Sequence, residues 1–177
     1  PGLTVQVTTR EQLTPNLLNS ETAMLYVPLH ILAADPEMTG LLVQRGRLAV
    51  VLPRIVHDGE MPKLKKDLAL LQSIGVKNAL VGNLGLLAPA REAGMRIHGD
   101  FGLNIYNSVS MNVLRSLEVC SALVSFEMTL PQIRDLSKAV NAEILAYGRM
   151  PLMITEQCLI QGRTGECTCH LGSTKLT

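Results

Sequence analysis

The feature that most constrains this chain is a regular alternation of short apolar runs, rich in Val, Leu and Ile, with segments of helical period. The first run, Leu3–Val7, precedes Thr9-Arg10-Glu11-Gln12, a sequence typical of a capping box at a helix start. Similar runs predict six further strands at Met24–Val27, Arg47–Leu52, Asn78–Val81, Met95–His98, Ala122–Phe126 and Glu143–Tyr147. The alternation therefore predicts parallel strands joined by helices.

The intervening segments carry the apolar faces that such helices need. Leu64, Leu68 and Leu71 recur at i, i+4 and i+7, which places them on one side of a helix. A second face, behind the predicted cap Thr129 with Gln132, consists of Leu130, Ile133, Leu136 and Val140. Seven strand–helix units are compatible with an open doubly wound sheet or with a β/α barrel that is an incomplete TIM-type barrel. We predict one barrel-like domain over residues 1–157 and a loop-like, cysteine-containing tail over 158–177.

Charge and composition exclude several classes of protein. The chain has 16 Lys and Arg against 15 Asp and Glu, three Tyr, two Phe and no Trp. It lacks the basic and aromatic surface of a typical nucleic-acid module. No apolar run reaches the ~18 residues of a membrane span, and the start Pro-Gly-Leu-Thr carries neither Met nor a signal-peptide pattern. We expect a cytoplasmic piece of a longer chain with no membrane partner.

Polar residues that follow the apolar runs are the candidates for chemistry, because the strand ends of β/α folds converge on one crevice. They are Arg54, Asn83, His98, Asp100, Glu127, Tyr147 and Arg149. The alternative is that these residues only cap helices and form ion pairs, and bind no ligand. His98 and Asp100 lie in Arg-Ile-His-Gly-Asp-Phe-Gly, and a histidine beside a carboxylate suits general acid–base catalysis. A histidine that simply bonds a backbone carbonyl is the alternative.

Motifs of several enzyme classes are absent from the sequence. There is no Gly-x-Ser-x-Gly, no His-Glu-x-x-His, no Gly-Lys-Ser/Thr phosphate loop and no Gly-x-Gly-x-x-Gly after the first strand. Serine hydrolases with a nucleophile elbow, zinc peptidases and nucleotide-binding enzymes therefore have no support from sequence motifs.

The cysteines are concentrated near the end of the chain. Cys158, Cys167, Cys169 and His170 form a C-x8-C-x-C-H array whose thiolates and imidazole suit zinc or an iron–sulfur cluster. The spacing matches no standard zinc finger, so free thiols are the alternative. We expect no bound cofactor in this piece, and zinc or an iron–sulfur cluster only in the full-length protein. Cys120 enters an apolar run and is predicted to be a small core residue.

The order of several short segments resembles the collagenase-like peptidase family U32. The segments are Ile55–Glu60, Val81–Gly85, Ile97-His98, Leu103-Asn104, Asn107-Ser108, Glu127–Leu130 with Ile133, and Tyr147–Cys158. The last segment is similar to the family's His-Gly-x-x-Cys-x6-Cys stretch. In this chain the leading His falls on Tyr147 and the first Cys on Pro151, so that Cys158 alone remains of that pair.

The resemblance implies a β/α-barrel-like domain of a peptidase, most similar to the second, C-terminal barrel of long bacterial members. If the domain is such a peptidase, its catalytic residues are not identified by any motif, and His98, Asp100 and Glu127 are the candidates from the strand ends. We expect Arg54, Asn83, Asn104, Tyr147 and Arg149 to hold the substrate. Some members are associated with oxygen-independent hydroxylation of RNA or small aromatic substrates at a cysteine-held cluster, which is a second hypothesis. A third is a non-catalytic barrel that positions the rest of its own chain. The sequence leaves peptide and RNA substrates undecided.

Overall fold

The computed structural model describes residues 2–149 together with Gly162 and Gly165. Within these residues, seven strands lie in chain order in one sheet, and each pairs in parallel with the next. The strands are β1 Thr4–Gln6, β2 Met24–Pro28, β3 Leu48–Val51, β4 Asn78–Val81, β5 Arg96–Gly99, β6 Ser121–Leu123 and β7 Asn141–Glu143. The predicted parallel β/α architecture is confirmed.

Helices separate each strand from the next. Within Pro1–Leu145 the α-helices are α1 Pro15–Asn19, α2 Leu29–Ala34, α3 Pro36–Val43, α4 Met61–Ile74, α5 Leu87–Glu92, α6 Ser108–Ser116 and α7 Leu130–Asp135. Short 3-10 turns precede four of them, at Arg10–Gln12, Asp58–Glu60, Leu84–Leu86 and Phe101–Leu103. The chain divides at residue 145, and all these elements lie in Pro1–Leu145. The predicted boundary at residue 157 lies outside the described residues.

Helix α4 follows the predicted pattern closely. Leu64, Leu68 and Leu71 are buried along one side, as the spacing predicts. The helix ends at Gly75, whose φ of 104° is a left-handed conformation that favours glycine. Burial of this leucine face attaches α4 to the sheet.

In helix α7 the predicted cap is confirmed, but only part of the predicted apolar face is buried. The backbone N–H of Thr129 donates to Oε1 of Gln132 at 2.8 Å. Ile133 and Leu136 are buried, whereas Leu130 is 72% exposed. The helix ends at Asp135, before Val140 is reached, so the apolar spacing predicts a longer helix than the chain forms.

Two predictions about the later strands are wrong. The seventh strand is Asn141–Glu143 and not Glu143–Tyr147, because Ala142 packs on the core while the more apolar Ile144 and Leu145 are exposed. Cys120 is exposed and not a core residue. Cys120 directly precedes β6, where its N–H donates to the Ile97 carbonyl and its carbonyl accepts from the Asn141 N–H. Its neighbours Val119 and Ser121 are the buried residues.

The sheet has two packed faces because it is curled. The larger apolar cluster fills the space between sheet and helices and includes Val27, Val50 and Val81. A small inner cluster of Tyr26, Ala49 and Leu80, with Met24 and Val51 against it, occupies the concave face. The edge strands also approach each other, since Thr4 Oγ1 of β1 donates to Glu143 Oε2 of β7 at 3.3 Å. The result is an incomplete barrel with an interior, here called the lumen.

Among the described residues, no helix has the length and apolar character that crossing a membrane requires.

Candidate functional site

A glutamate from the last strand is the centre of a polar network in the lumen. Three hydroxyl groups donate to the Glu143 carboxylate: Thr4 Oγ1 at 3.3 Å, Tyr26 Oη at 3.1 Å and Ser121 Oγ at 2.5 Å. These donors come from β1, β2 and β6, so the carboxylate joins both edges of the curled sheet. Three converging donors are the environment of an acceptor that carries negative charge.

A histidine extends this network along the lumen. His98 Nδ1 lies 2.7 Å from Ser121 Oγ, and its Nε2 lies 3.5 Å from Asn78 Oδ1. Because Ser121 donates its hydroxyl proton to Glu143, the His98 contact requires a proton on Nδ1 that is donated to Ser121 Oγ. The Asn78 oxygen accepts from Arg96 Nε at 3.1 Å. His98 thus orients the serine that in turn bonds the glutamate.

Burial shifts the pKa values of the Tyr26 hydroxyl and the His98 imidazole. Burial raises the pKa of Tyr26, and the neighbouring Glu143 charge raises it further, so the phenol stays a proton donor. Burial also lowers the pKa of His98 below its usual 6.5, with Arg96 adding to the effect and Glu143 opposing it. The imidazole is therefore neutral near pH 7, with its one proton on Nδ1, so the 3.5 Å contact of Nε2 with Asn78 Oδ1 joins two acceptors and is not a hydrogen bond.

A second carboxyl group lies at the carboxyl end of β5. Asp100 is only 5% exposed, and its Oδ1 accepts from the Phe101 N–H at 2.8 Å. Burial raises the pKa of Asp100 above its usual 3.8, against the weaker lowering by the Phe101 N–H and by Arg54. The Glu143 charge contributes to the raised pKa. Ionisation of Asp100 is therefore disfavoured.

The sheet register places the two carboxyl groups on the same face. Gly99 pairs with Ala122 and Leu123 pairs with Glu143, so continuing the first register by one residue places Asp100 beside Leu123. Residues in register on parallel strands point to the same side of a sheet. Asp100 and Glu143 thus face the lumen at the same level, in unlike environments.

Two other predicted site residues meet beside Asp100. Asn83 Nδ2 donates to the Arg54 carbonyl at 3.0 Å, and the Arg54 guanidinium lies over the Phe101 ring, 4.5 Å from its centroid. Arg54, Asn83 and Asp100 therefore share the carboxyl ends of β3, β4 and β5. His98 lies in the lumen, two residues before Asp100 on the same strand.

Glu127 and Asn104 lie outside the network around Glu143. Glu127 is exposed and accepts a hydrogen bond from the Tyr106 hydroxyl, which raises the pKa of Tyr106. Asn104 is an exposed residue with φ 52° that ends the Phe101–Leu103 turn. Tyr147 and Arg149 are exposed and lie outside Pro1–Leu145. Neither Glu127 nor Asn104 bonds to the network around Glu143.

The predicted metal ligands Cys158, Cys167, Cys169 and His170 lie outside the described residues, so zinc or cluster binding stays a prediction. Within the part of the chain that the structure describes, no group of three or more His, Cys, Asp or Glu residues is arranged to hold a metal ion.

The sequence did not mark Glu143 or its hydroxyl donors Thr4, Tyr26 and Ser121 as site residues. The sequence candidates follow the apolar runs, whereas these residues lie within the strands at positions that face the lumen. A signal was present, because a polar side chain inside an apolar strand needs a partner when it is buried. Which polar positions share the lumen depends on the register, and only the structure supplies that.

The neutral state of buried His98 predicts a pH dependence of stability. Since its pKa is lowered on folding, the unfolded chain takes up the proton first as the pH falls below 6.5. The resulting stability is present above that pH and is lost as the pH falls toward the folded-state pKa. We expect the free energy of unfolding, measured with urea, to fall less between pH 7.5 and pH 5 in His98→Gln than in the unaltered chain. His30→Gln, at an exposed position of α2, is the control and should follow the unaltered chain.

A curled parallel sheet with its polar groups in the lumen and at the strand carboxyl ends defines an α/β barrel-like domain, a class in which chemistry occurs at that end. The family model described as peptidase family U32 matches residues 37–172, and the chain belongs to this family. The predicted family is thereby confirmed, while the similarity to a second barrel stays a prediction.

A relative in the archaeon Methanocaldococcus jannaschii is named an uncharacterized protease. The chain is 24% identical to it over 124 residues, a match that covers 64% of this chain and 30% of the relative. The chain therefore spans less than a third of that relative's length. No solved structure was found to match the chain.

Proposed function

We propose that this chain is a peptide-hydrolysing domain in which Glu143 is the general base and Asp100 the general acid. The observation that carries the proposal is the pair of lumenal carboxyl groups in unlike environments. One accepts three hydroxyl donors, and the other is buried with a raised pKa. A carboxylate that accepts several hydrogen bonds, together with a buried carboxyl group whose ionisation is disfavoured, is a usual pairing of base and acid in a hydrolytic site. Membership of a peptidase family supports a peptide as the substrate.

The proposed reaction is the addition of water to a peptide bond. The Glu143 carboxylate takes a proton from water while the oxygen adds to the carbonyl carbon. The Asp100 carboxylic acid gives its proton to the amide nitrogen, the carbon–nitrogen bond breaks, and a carboxylic acid and an amine leave. The proton held by Glu143 then passes through water to Asp100, which restores both groups. No group outside the chain and the substrate is consumed except water.

The other members of the network position the base. Ser121 and Tyr26 fix the plane of the Glu143 carboxylate through separate hydrogen bonds. His98 holds Ser121 from the opposite side. The hypotheses of cluster-dependent hydroxylation and of a non-catalytic barrel remain, but no observation on the described residues favours either.

Replacement of the proposed acid tests the function. We expect the purified chain to cleave a fluorescence-quenched peptide mixture and Asp100→Asn to lower kcat by about 100-fold or more, the usual contribution of a general acid. Because only protonated Asp100 is active, kcat of the unaltered chain should fall as the pH rises through the raised pKa of this carboxyl. That alkaline limb should be absent from any residual activity of the variant.

The matched control is Asp135→Asn, since Asp135 is exposed and pairs with its neighbour Arg134. It should cleave at the unaltered rate. A chain that cleaves no peptide, or an Asp100→Asn variant with unchanged kcat and pH profile, would contradict the proposal.

A further inference from the structure

An arginine at the carboxyl end of the sheet is held in place, and no acceptor among the described residues pairs with its charge. Arg54 is half-buried, and its backbone is tied to Asn83. Its guanidinium is stacked on Phe101, 4.5 Å from the ring centroid, so the side chain reaches from the end of β3 to the end of β5. Stacking of this kind fixes the plane of the guanidinium and leaves its edges available for hydrogen bonds.

The packing beside this guanidinium is close. A Cβ on Gly102 would lie 3.1 Å from Arg54 Nε and 3.2 Å from Nη2, and 2.4 Å from the Gly82 carbonyl oxygen. Glycine is therefore required at this position, because a side chain would displace either the Gly82 backbone or the guanidinium. The glycine lets the Arg54 side chain lie flat on the turn after β5.

Among residues 2–149, no side-chain or backbone acceptor bonds the Arg54 guanidinium, and no carboxylate lies within ion-pair distance of it. Asp100 is close enough for the Arg54 charge to lower its pKa, but burial raises that pKa by more, and one Asp100 oxygen accepts from the Phe101 N–H. A fixed guanidinium without an acceptor, next to the proposed acid, is an unfilled anion subsite. Its fork of N–H donors matches a planar carboxylate, which binds in a two-bond arrangement.

Two aromatic rings lie next to this subsite. Phe101 and Phe126 have their centroids 6.1 Å apart, and Phe126 is 44% exposed. An apolar surface beside a carboxylate-binding arginine suits the last residue of a peptide, which has a carboxylate and a side chain on the same carbon. A phosphate group carries more negative charge than one arginine neutralises. A single arginine therefore favours a carboxylate, which carries one negative charge.

We infer that Arg54, with the Phe101–Phe126 pair, binds the free C-terminal carboxylate of a peptide whose last residue is apolar. This inference rests on the proposed peptide hydrolysis and deepens it, since it makes the domain an exopeptidase acting from the carboxyl end. Arg54 is then a specificity residue that would hold the end of the peptide beside Asp100, since both side chains lie next to Gly82.

The test compares two peptides of one sequence, both labelled at the N-terminus and ending in Leu, one with a free carboxylate and one with a C-terminal amide. Binding to the 177-residue chain is measured by fluorescence anisotropy. We expect the free acid to bind about 10-fold or more tightly than the amide, as a charge-assisted bidentate pair requires. This comparison needs no variant. Equal binding of the two peptides would overturn the inference.

Variants then assign the preference to one residue. Arg54→Gln should bind both peptides alike, and Arg54→Lys should retain only part of the preference, because an ammonium lacks the two-bond geometry. Arg134→Gln, an exposed arginine paired with Asp135, is the control and should keep the full preference. A preference that survives in Arg54→Gln would overturn the assignment.

Two further readouts separate this inference from the proposed function. Inorganic phosphate that displaces the free-acid peptide at lower concentration than acetate does would contradict a carboxylate subsite. A preference for the free acid without any cleavage would refute the hydrolytic function and leave the subsite intact. Cleavage of free-acid and amide peptides at the same rate would refute the subsite and leave the hydrolytic function intact.

Discussion

Replacing Glu143 with glutamine is expected to lower kcat for peptide hydrolysis by about 100- to 10,000-fold, the usual contribution of a general base. Glutamine has nearly the same shape, but its amide cannot take a proton from water. The glutamine NH2 group is a donor, and it would replace a carboxylate oxygen that accepts hydrogen bonds. The hydroxyls of Thr4, Tyr26 and Ser121 all donate to the native carboxylate. The loss should appear in kcat with a smaller change in KM, since the residue acts on the attacking water.

The same variant should lose stability as well as activity. Turning an acceptor into a donor leaves at least one buried hydroxyl without its partner, at a cost of about 1–3 kcal/mol. Glu92→Gln is the matched control, because Glu92 is exposed and pairs with Lys65 at the surface. Both rate and urea midpoint of the control should equal those of the unaltered chain. If Glu143→Gln keeps more than a tenth of the activity, Glu143 is not the base.

Truncation of Leu68 to alanine is expected to lower the free energy of unfolding by about 2–5 kcal/mol. Leu68 is 0% exposed in the middle of α4, on the face that packs against the sheet. The removed atoms lose their transfer free energy, and the cavity that remains costs more because the packed neighbours relax only partly. Chemical unfolding followed by circular dichroism measures the change.

Leu70 provides the control on the same helix. It is 37% exposed, so Leu70→Ala should change stability by about 0.5 kcal/mol or less. Equal effects of the two substitutions would mean that α4 does not pack on the sheet through the Leu64, Leu68 and Leu71 face.

The periodicity of the chain was enough to predict its architecture. Apolar runs of strand length separated by helical segments leave few alternatives to a parallel sheet covered by helices, and α4 shows why, since its leucine spacing corresponds directly to burial. Periodicity mispredicts the elements whose apolar residues are not buried. Ile144 and Leu145 extend the seventh run in the sequence but are exposed, and Leu130 is exposed at the start of α7.

The candidate site was predicted only in part, for a physical reason. Arg54, Asn83 and Asp100 follow directly after their strands, and the rule that parallel strands present their carboxyl ends together suffices to group them. Glu127 has the same position in the sequence, yet it bonds Tyr106 outside the lumen. The direction of a side chain in a loop after a strand is not fixed by its distance from the strand.

The amino-acid sequence by itself determined the alternation of strands and helices, the family, and the side of the sheet on which chemistry is expected. Only the tertiary structure decided that Glu143 is the centre of the lumen. Its partners Thr4, Tyr26 and Ser121 are separated from it by 139, 117 and 22 positions in the chain. Local propensity fixes each strand, but curling of the sheet and its register bring these distant side chains together, and neither is a property of any single segment.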